Sequence, residues 1–402
     1  MRMIDIGFWE VSPNWDGLKE ACFWQAPVRA AAATAVAHTA AMGGADVLGG
    51  LLKEDMPESD DDEAGEASVR SLRMAAALHG LSQCSDELMC PWMNFIVHRL
   101  HDPSPCVQHA AKVALQRVGS SCANALAENL STEDSLHRAA LACALGHVGP
   151  NALPYTNMLA KLLDPSIETQ AKVRIAAADA LCSLGPQAGH SAASALMDYL
   201  LLAPEGDLGA QELEAARRAL VGLRDVTPQL LPVALSDSRP EIKCAALEIC
   251  EALGTAVLAG IGSEVLDGIV ECAACPDDLV RQRTVQALGV LSDPAIPNKV
   301  LPKLLHDASL LVSKMAVALA GKLGPPAGQH AVAVARHLTS FDPDLRRTAA
   351  LSLGQLGLLP RSTAKDISAT FKSEKREDVR VLLIKALGAQ GAVSLVAFFA
   401  QA

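Results

Sequence analysis

The sequence predicts an all-α fold: a solenoid, a right-handed α-α superhelix of about eleven helical hairpins. Three observations carry that prediction. First, one phrase recurs. VQHAAKVALQRVG (Val107 to Gly119) returns as VRIAAADALCSLG (Val173 to Gly185), IKCAALEICEALG (Ile242 to Gly254), LRRTAALSLGQLG (Leu345 to Gly357) and VRVLLIKALGAQG (Val379 to Gly391). Self-similarity at a near-fixed period marks a repeat architecture. Second, each copy carries apolar residues at the 3.6-residue period of a buried helix face, as in Val173, Ala176, Ala177, Ala180, Leu181 and Leu184. Third, half the residues are apolar and only 3% are aromatic, which suits close packing of Ala-, Leu- and Val-built helices.

In chain order, residues 1–27 hold Trp9, Trp15 and Trp24, with Phe8 and Phe23 beside them. Terminal repeats must cover an otherwise open apolar face, so this segment reads as a cap, with partner docking as the alternative. The repeats occupy 28–391. An aliphatic anchor opens each second helix at Val28, Val69, Val107, Leu136, Val173, Leu213, Ile242, Val280, Val312, Leu345 and Val379. A closing residue ends it at Gly43, Ser82, Gly119, Gly149, Gly185, Arg224, Gly254, Ser292, Gly324, Gly357 and Gly391. Anchor and closer stand twelve residues apart in seven of the eleven modules, and closers recur about every 35 residues, the length of one helical hairpin. Glycine tolerates the left-handed backbone that ends a helix, and Pro150, Pro186 and Pro325 follow it where no helix can continue.

First helices are less regular. The clearest are Met93–Pro103, Tyr155–Pro165 and Pro302–Asp307, which finish in Asp or Asp-Pro, where the carboxylate is expected to cap the next helix. A stretch with eight acids and no base, 54–66, interrupts one module and reads as a solvated loop or a docking loop for a basic partner. Residues 392–402 read as an apolar half-repeat ending in Phe398 and Phe399. Either the array stops there or that face pairs with another chain, so end-to-end self-association is one expectation.

The net charge of −11 comes largely from that acidic stretch. Without clustered Lys and Arg, nucleic acid is a poor partner. No apolar run reaches the length of a membrane span, and the first fifteen residues lack the apolar core of a signal peptide. Eleven cysteines are scattered, and Cys143, Cys182, Cys244 and Cys250 fall on Ala-like positions within helices. Those features point to a reducing, cytoplasmic setting, with nucleus or organelle left open.

Modules of this length, with Asp closing the first helix and Val-Arg opening the second, resemble HEAT repeats. Their AAxALGxLG cores are similar to the HEAT-like subclass of phycobilisome lyases. The resemblance implies an armadillo-like α-solenoid and leaves activity open, since fold does not imply function. It also implies that the basic residue after each anchor meets a preceding Asp: Lys243 with Asp237, Arg281 with Asp278, Arg346 with Asp342 or Asp344, Arg380 with Asp378. A ligand-facing basic stripe is the other reading of the same residues.

Enzyme-like members of this fold set the alternatives. Deoxyhypusine hydroxylases hold two irons with His-Glu dipeptides, and this sequence has none. His98 and His101 stand i, i+3 beside Asp102, a spacing that one metal ion can bridge, or that a solvated helix end produces. A bilin lyase would need a tetrapyrrole groove. Cys272 and Cys275 form a lone CxxC without a second pair to complete a zinc site, and read as small buried residues. Gly260 and Gly262 follow no strand and make no dinucleotide fingerprint. The expected function is therefore a non-enzymatic scaffold, without cofactor or metal, that holds a partner protein on a concave face lined by second helices. Its expected contacts are Lys112, Gln116, Arg218, Gln286, Lys314, Gln355 and Lys385, polar positions off the apolar stripe.

Overall fold

The computed structural model describes residues 43–53, 69–203, 207–258, 263–291 and 295–388. The expected Trp-rich cap, the acidic stretch, the first anchor Val28, the glycines at 260 and 262 and the C-terminal half-repeat lie outside them. All regular structure among the described residues is helical, as expected for an all-α solenoid. The chain divides into two compact units, Met1–Leu223 and Arg224–Ala402.

In the first unit, first helices are α1 (Gly44–Lys53), the broken pair α3 (Asp86–Met89) and α4 (Met93–His98), α6 (Ser120–Glu128), α8 (Thr156–Lys161) and α10 (Gly189–Leu202). Second helices are α2 (Val69–Leu81), α5 (Pro105–Leu115), α7 (Ser135–Val148), α9 (Ala171–Leu184) and α11 (Asp207–Gly222), and each packs on the next. The second unit repeats the plan. Its first helices are α12 (Leu231–Ser236), α14 (Ser263–Cys272), α16 (Ala295–Leu304), α18 (Ala331–Arg336) and α20 (Arg361–Ser373). Its second helices are α13 (Pro240–Leu258), α15 (Asp278–Leu288), α17 (Leu310–Leu323), α19 (Pro343–Gln355) and α21 (Glu377–Gly388), again packed in file.

Chain punctuation follows the sequence. Gly149, Gly185, Gly254, Gly324 and Gly357 all have positive φ, and Gly254 breaks what would otherwise be one continuous α13. After Gly149, Gly185 and Gly324 the chain enters a 3-10 segment that carries the predicted proline. The expected anchors Val107, Val173, Ile242, Val280, Val312, Leu345 and Val379 are all buried.

Two anchors are corrected by one residue. Leu136 is 64% exposed; the slot is filled by His137, from which Ala140, Leu141, Ala144, Leu145 and Val148 continue the buried stripe. Likewise Glu212, not Leu213, precedes the buried set Ala215, Ala216, Ala219, Leu220 and Leu223. With these assignments both modules regain the twelve-residue spacing to Gly149 and Arg224.

A further glycine sits nine residues after the anchor. A Cβ on Gly146 would lie 2.7 Å from Ala180 Cα, and one on Gly321 would lie 2.9 Å from Ser352 Cα. The second glycine-containing stretch of the repeat phrase thus lets neighbouring second helices approach backbone to backbone.

The basic residue after the anchor forms a ladder, but its direction differs from expectation. Arg281 gives Nε and Nη2 to Asp307 of the following module at 2.6 and 2.9 Å, not to Asp278. Its Nη1 turns back onto the carbonyls of Cys275 and Pro276, both at 2.8 Å. Arg346 does the same with Glu374 and the carbonyls of Ser340 and Phe341, and Arg138 with Glu168 and the carbonyls of Thr132 and Glu133. Arg174 reaches Glu212 and the Glu168 carbonyl, and Arg70 approaches Asp102 at 3.7 Å. The geometry explains the reversal. An acid on the N-terminal side is occupied by the helix's own N–H groups: Asp134 accepts from Leu136, Asp277 from Val280, and Asp342 from Asp344 and Leu345. A guanidinium folded onto its own turn carbonyls leaves its other edge facing the next module.

Two other expected pairs are absent from the ladder. Asp237 is bridged by Arg239 at 3.2 Å, with Lys243 a lesser influence. Arg380 lies over the Phe371 ring at 4.6 Å, while Asp378 is held by Arg376 and Arg347. The acids ending first helices also act differently from expected: Asp102, Asp164 and Asp307 accept from Ser104, Ser166 and Ser309 two residues on, closing the turn rather than capping the helix.

Two predictions follow from packing and pairing. Gly→Ala inside a helix ordinarily stabilises by about 0.4–1 kcal/mol. Gly50→Ala, with open space around it, follows that rule, whereas Gly146→Ala costs about 1–3 kcal/mol by overpacking, as read by urea unfolding. The Arg281 guanidinium holds the Asp307 carboxyl below its ordinary range. A depressed folded-state pKa supplies stability above pH about 4 that is lost as pH falls through the folded value. Arg281→Ala therefore costs about 2–5 kcal/mol at pH 7, and the gap between variant and wild type narrows as Asp307 protonates below pH about 4.

Candidate functional site

The second helices bury most of their circumference. What remains open on most of them is a narrow strip two, six and ten residues after the anchor; the fifth and ninth positions are exposed together on α5 alone among the described residues. Five of the seven expected contacts fall on the strip, Lys112 and Gln116 lie on the wider exposed face of α5, and none is buried. In the first unit, Lys112 and Gln116 stand exposed on α5 and Arg218 on α11. Arg218 pairs with Asp179 of α9 at 3.0 Å, so the strip is bridged between adjacent helices. In the second unit, Gln286 accepts from Arg283 Nη1 at 3.1 Å, and Lys314 approaches Asp344 of α19 at 3.8 Å. Gln355 and Lys385 are exposed on α19 and α21.

These residues do not converge on a reacting centre. They are spread over six second helices, one to each except α5, which carries both Lys112 and Gln116. The ladder arginines are a separate population. Their guanidiniums are largely covered and their donors are used by turn carbonyls and carboxylates, so the ladder reading fits them and the ligand stripe does not.

The trio His98, His101 and Asp102 is not assembled. Asp102 is buried, accepts from Ser104 N–H at 3.0 Å, and lies 3.6 Å from Arg99 and 3.7 Å from Arg70. Among the described residues no group of three or more His, Cys, Asp or Glu is arranged to hold a metal ion.

His98 and His101 instead line a groove of about 560 Å³ in the first unit. Its walls come from the end of α4 and the turn after it, from α7 with His137 and the exposed Leu136, and from α9 with Lys172, Ile175 and Asp179. Sequence reasoning missed this groove because its lining is gathered from three separated segments. Leu136 was the available signal, an aliphatic residue one position out of register with the buried stripe. A second depression of about 800 Å³ lies between the first helices α8 and α10, with Asn157, Asp164, Ile167, Asp198 and Leu202 on its walls.

The cysteines behave mostly as small core residues. Cys250 and Cys272 are buried, and Cys272 Sγ approaches the Leu235 carbonyl at 3.7 Å. Burial pushes the Cys143 and Cys272 thiols up to about 11, and those of Cys244 and Cys250 to about 12. Burial makes such thiols poor nucleophiles; in the CxxC spacing Cys272 is buried and Cys275 half-buried. One pair departs from the expected pattern. Cys90, in the turn between α3 and α4, and Cys122 of α6 form a disulfide across adjacent modules, with Cα atoms 5.1 Å apart.

No protein-family model matches the sequence, and no curated protein matches it. Solved structures do. The karyopherin Kap121p bound to the extreme C-terminus of the protein phosphatase Cdc14p aligns with a TM-score of 0.55 at 14% identity, over 89% of this chain and 42% of that one. Kap121p bound to Pho4p gives 0.54 at 13% identity, over 96% and 50%. Kap121p bound to Nup53p gives 0.54 at 12% identity, over 96% and 50%. The chain spans about half the length of these karyopherins. At such identities the likeness shows the fold alone, a helical-repeat solenoid. Among the described residues no helix is long and apolar enough to cross a membrane.

The thiol environments are testable. In the native protein at pH 8, iodoacetamide is expected to label Cys143, Cys244, Cys250 and Cys272 far more slowly than a free thiol, and all four promptly in urea. Peptide mapping by mass spectrometry reads both states.

Proposed function

We propose that this chain is a non-enzymatic scaffold or adaptor of the HEAT-repeat type. It presents the exposed strip of its second helices, as a concave surface, to a partner protein. The observation that carries the reading is the strip itself: polar side chains on successive second helices, off the buried stripe, and in part fixed by ion pairs between neighbouring modules, as Arg218–Asp179 and Lys314–Asp344 are. Pre-ordered side chains lose less freedom when a partner arrives, which favours recognition by an extended wall. The neighbouring solenoids, described as bound to Pho4p, Nup53p and the Cdc14p C-terminus, support protein binding as the use of this fold. Among the described residues eight cysteines are free and several of them buried, beside the Cys90–Cys122 disulfide, and we place the chain in the cytoplasm on those buried free thiols.

The contacts proposed are Lys112, Gln116 and Arg218 in the first unit and Gln286, Lys314, Gln355 and Lys385 in the second. Reversing Lys112, Arg218, Lys314 and Lys385 to Glu together is expected to abolish recovery of the partners that co-purify with the wild type, with helicity by circular dichroism unchanged. Unchanged partner recovery by a folded variant would remove the strip from the interface.

A further inference from the structure

We infer that the groove between α4, α7 and α9 is a binding site for an acidic side chain carried beside an aliphatic one, on a segment of a partner protein. The inference deepens the scaffold reading and rests on it.

The groove holds about 560 Å³, room for one or two side chains rather than for a folded surface. One wall is aliphatic, with Leu136 well exposed and Ile175 half-buried. An exposed Leu at the head of a helix whose apolar stripe begins one residue later contributes nothing to the core. Its contact surface is turned toward the groove's occupant.

The polar lining is unevenly matched. Four groups able to donate or carry positive charge face the space: His98, His101, His137 and Lys172. Two carboxylates also line it, but both are engaged. Asp134 accepts from the Leu136 N–H at 3.0 Å as the cap of α7, and Asp179 pairs with Arg218 at 3.0 Å. The Cys143 thiol adds no negative charge, because burial keeps it protonated. Among the described residues none of the three histidines nor Lys172 is paired with an acid. Asp134 and Asp179 keep their charge but already have donors, whereas the Lys172 ammonium and one N–H of each imidazole have no acid, and a carboxylate is the group that accepts from them. Because Leu136 and Ile175 border the same space, a carboxylate alone would leave the aliphatic wall wet, and a purely apolar side chain would leave the donors unmatched.

Two synthetic peptides test this on the full chain. One is N-acetyl-Ala-Leu-Asp-Leu-Glu-Ala-amide; the other replaces Asp and Glu by Asn and Gln. With isotope-labelled histidine, the acidic peptide is expected to shift the imidazole resonances of His98, His101 and His137 saturably, and the amide twin to bind at least tenfold more weakly. Lys172→Glu and Leu136→Ser each lower the affinity for the acidic peptide about tenfold; both positions are exposed, so folding is retained and is checked by circular dichroism. Equal binding of the twin, unaltered binding by both variants, or shifts confined to His306, His330 and His337 overturns the assignment. The scaffold reading fails separately: if charge reversal of the second-helix strip abolishes partner recovery while neither peptide binds, only the groove's chemistry is wrong.

Discussion

Where an arginine heads a second helix, as Arg138, Arg174, Arg281 and Arg346 do, it sets both the turn within a module and the stacking between modules. One edge of its guanidinium closes the turn on carbonyls five and six residues earlier; the other edge grips a carboxylate of the next module. A largely covered guanidinium is tolerable only when its donors are matched, so a shift in either element leaves charge stranded in a poor solvent. Two substitutions at this position show which half persists without an arginine. Gln108 and Ser313 keep the bond to the carbonyl six residues back, through Asp102 and Asp307, and give up the forward pair. Turn closure therefore survives in these two modules without the rung.

Close approach of the second helices is the second constraint, and it shapes the surface. Glycine nine residues into the phrase brings neighbouring backbones together, as at Gly146 against Ala180 and Gly321 against Ser352. Helices so near one another expose little between them. The exposed part of that face is then confined to a few side chains per module, and Arg218 and Lys314 are fixed partly by the module beside them.

Much of this was legible in the sequence because it is local. Period, closing glycines, proline stops and most buried anchors depend on residues within one helix and its turn. Register failed at Leu136 and Leu213, where His137 and Glu212 fill a slot that elsewhere holds Val, Leu or Ile. A search for aliphatic residues passes over them, although the broken twelve-residue spacing carried the information. Partners were not legible, because they lie far along the chain: Arg281 meets Asp307 and Arg174 meets Glu212, 26 and 38 residues on. Nearer acids compete for attention in the sequence but are consumed as caps. The groove around His98, His101 and His137 was hidden for the same reason, as was the Cys90–Cys122 link.

The forward direction of the rungs has a consequence for how such a chain changes length. Every rung joins a base on one hairpin to an acid on its successor, so a file of hairpins has unlike ends: a carboxylate awaiting a donor at one, a guanidinium awaiting an acceptor at the other. Where the hairpins on both sides carry a rung, excising or duplicating a stretch cut at the same phase rejoins like to like and leaves no charge orphaned. A cut out of phase separates a turn from its own clasp. Whole-hairpin insertion is thus the change of length that this pairing tolerates.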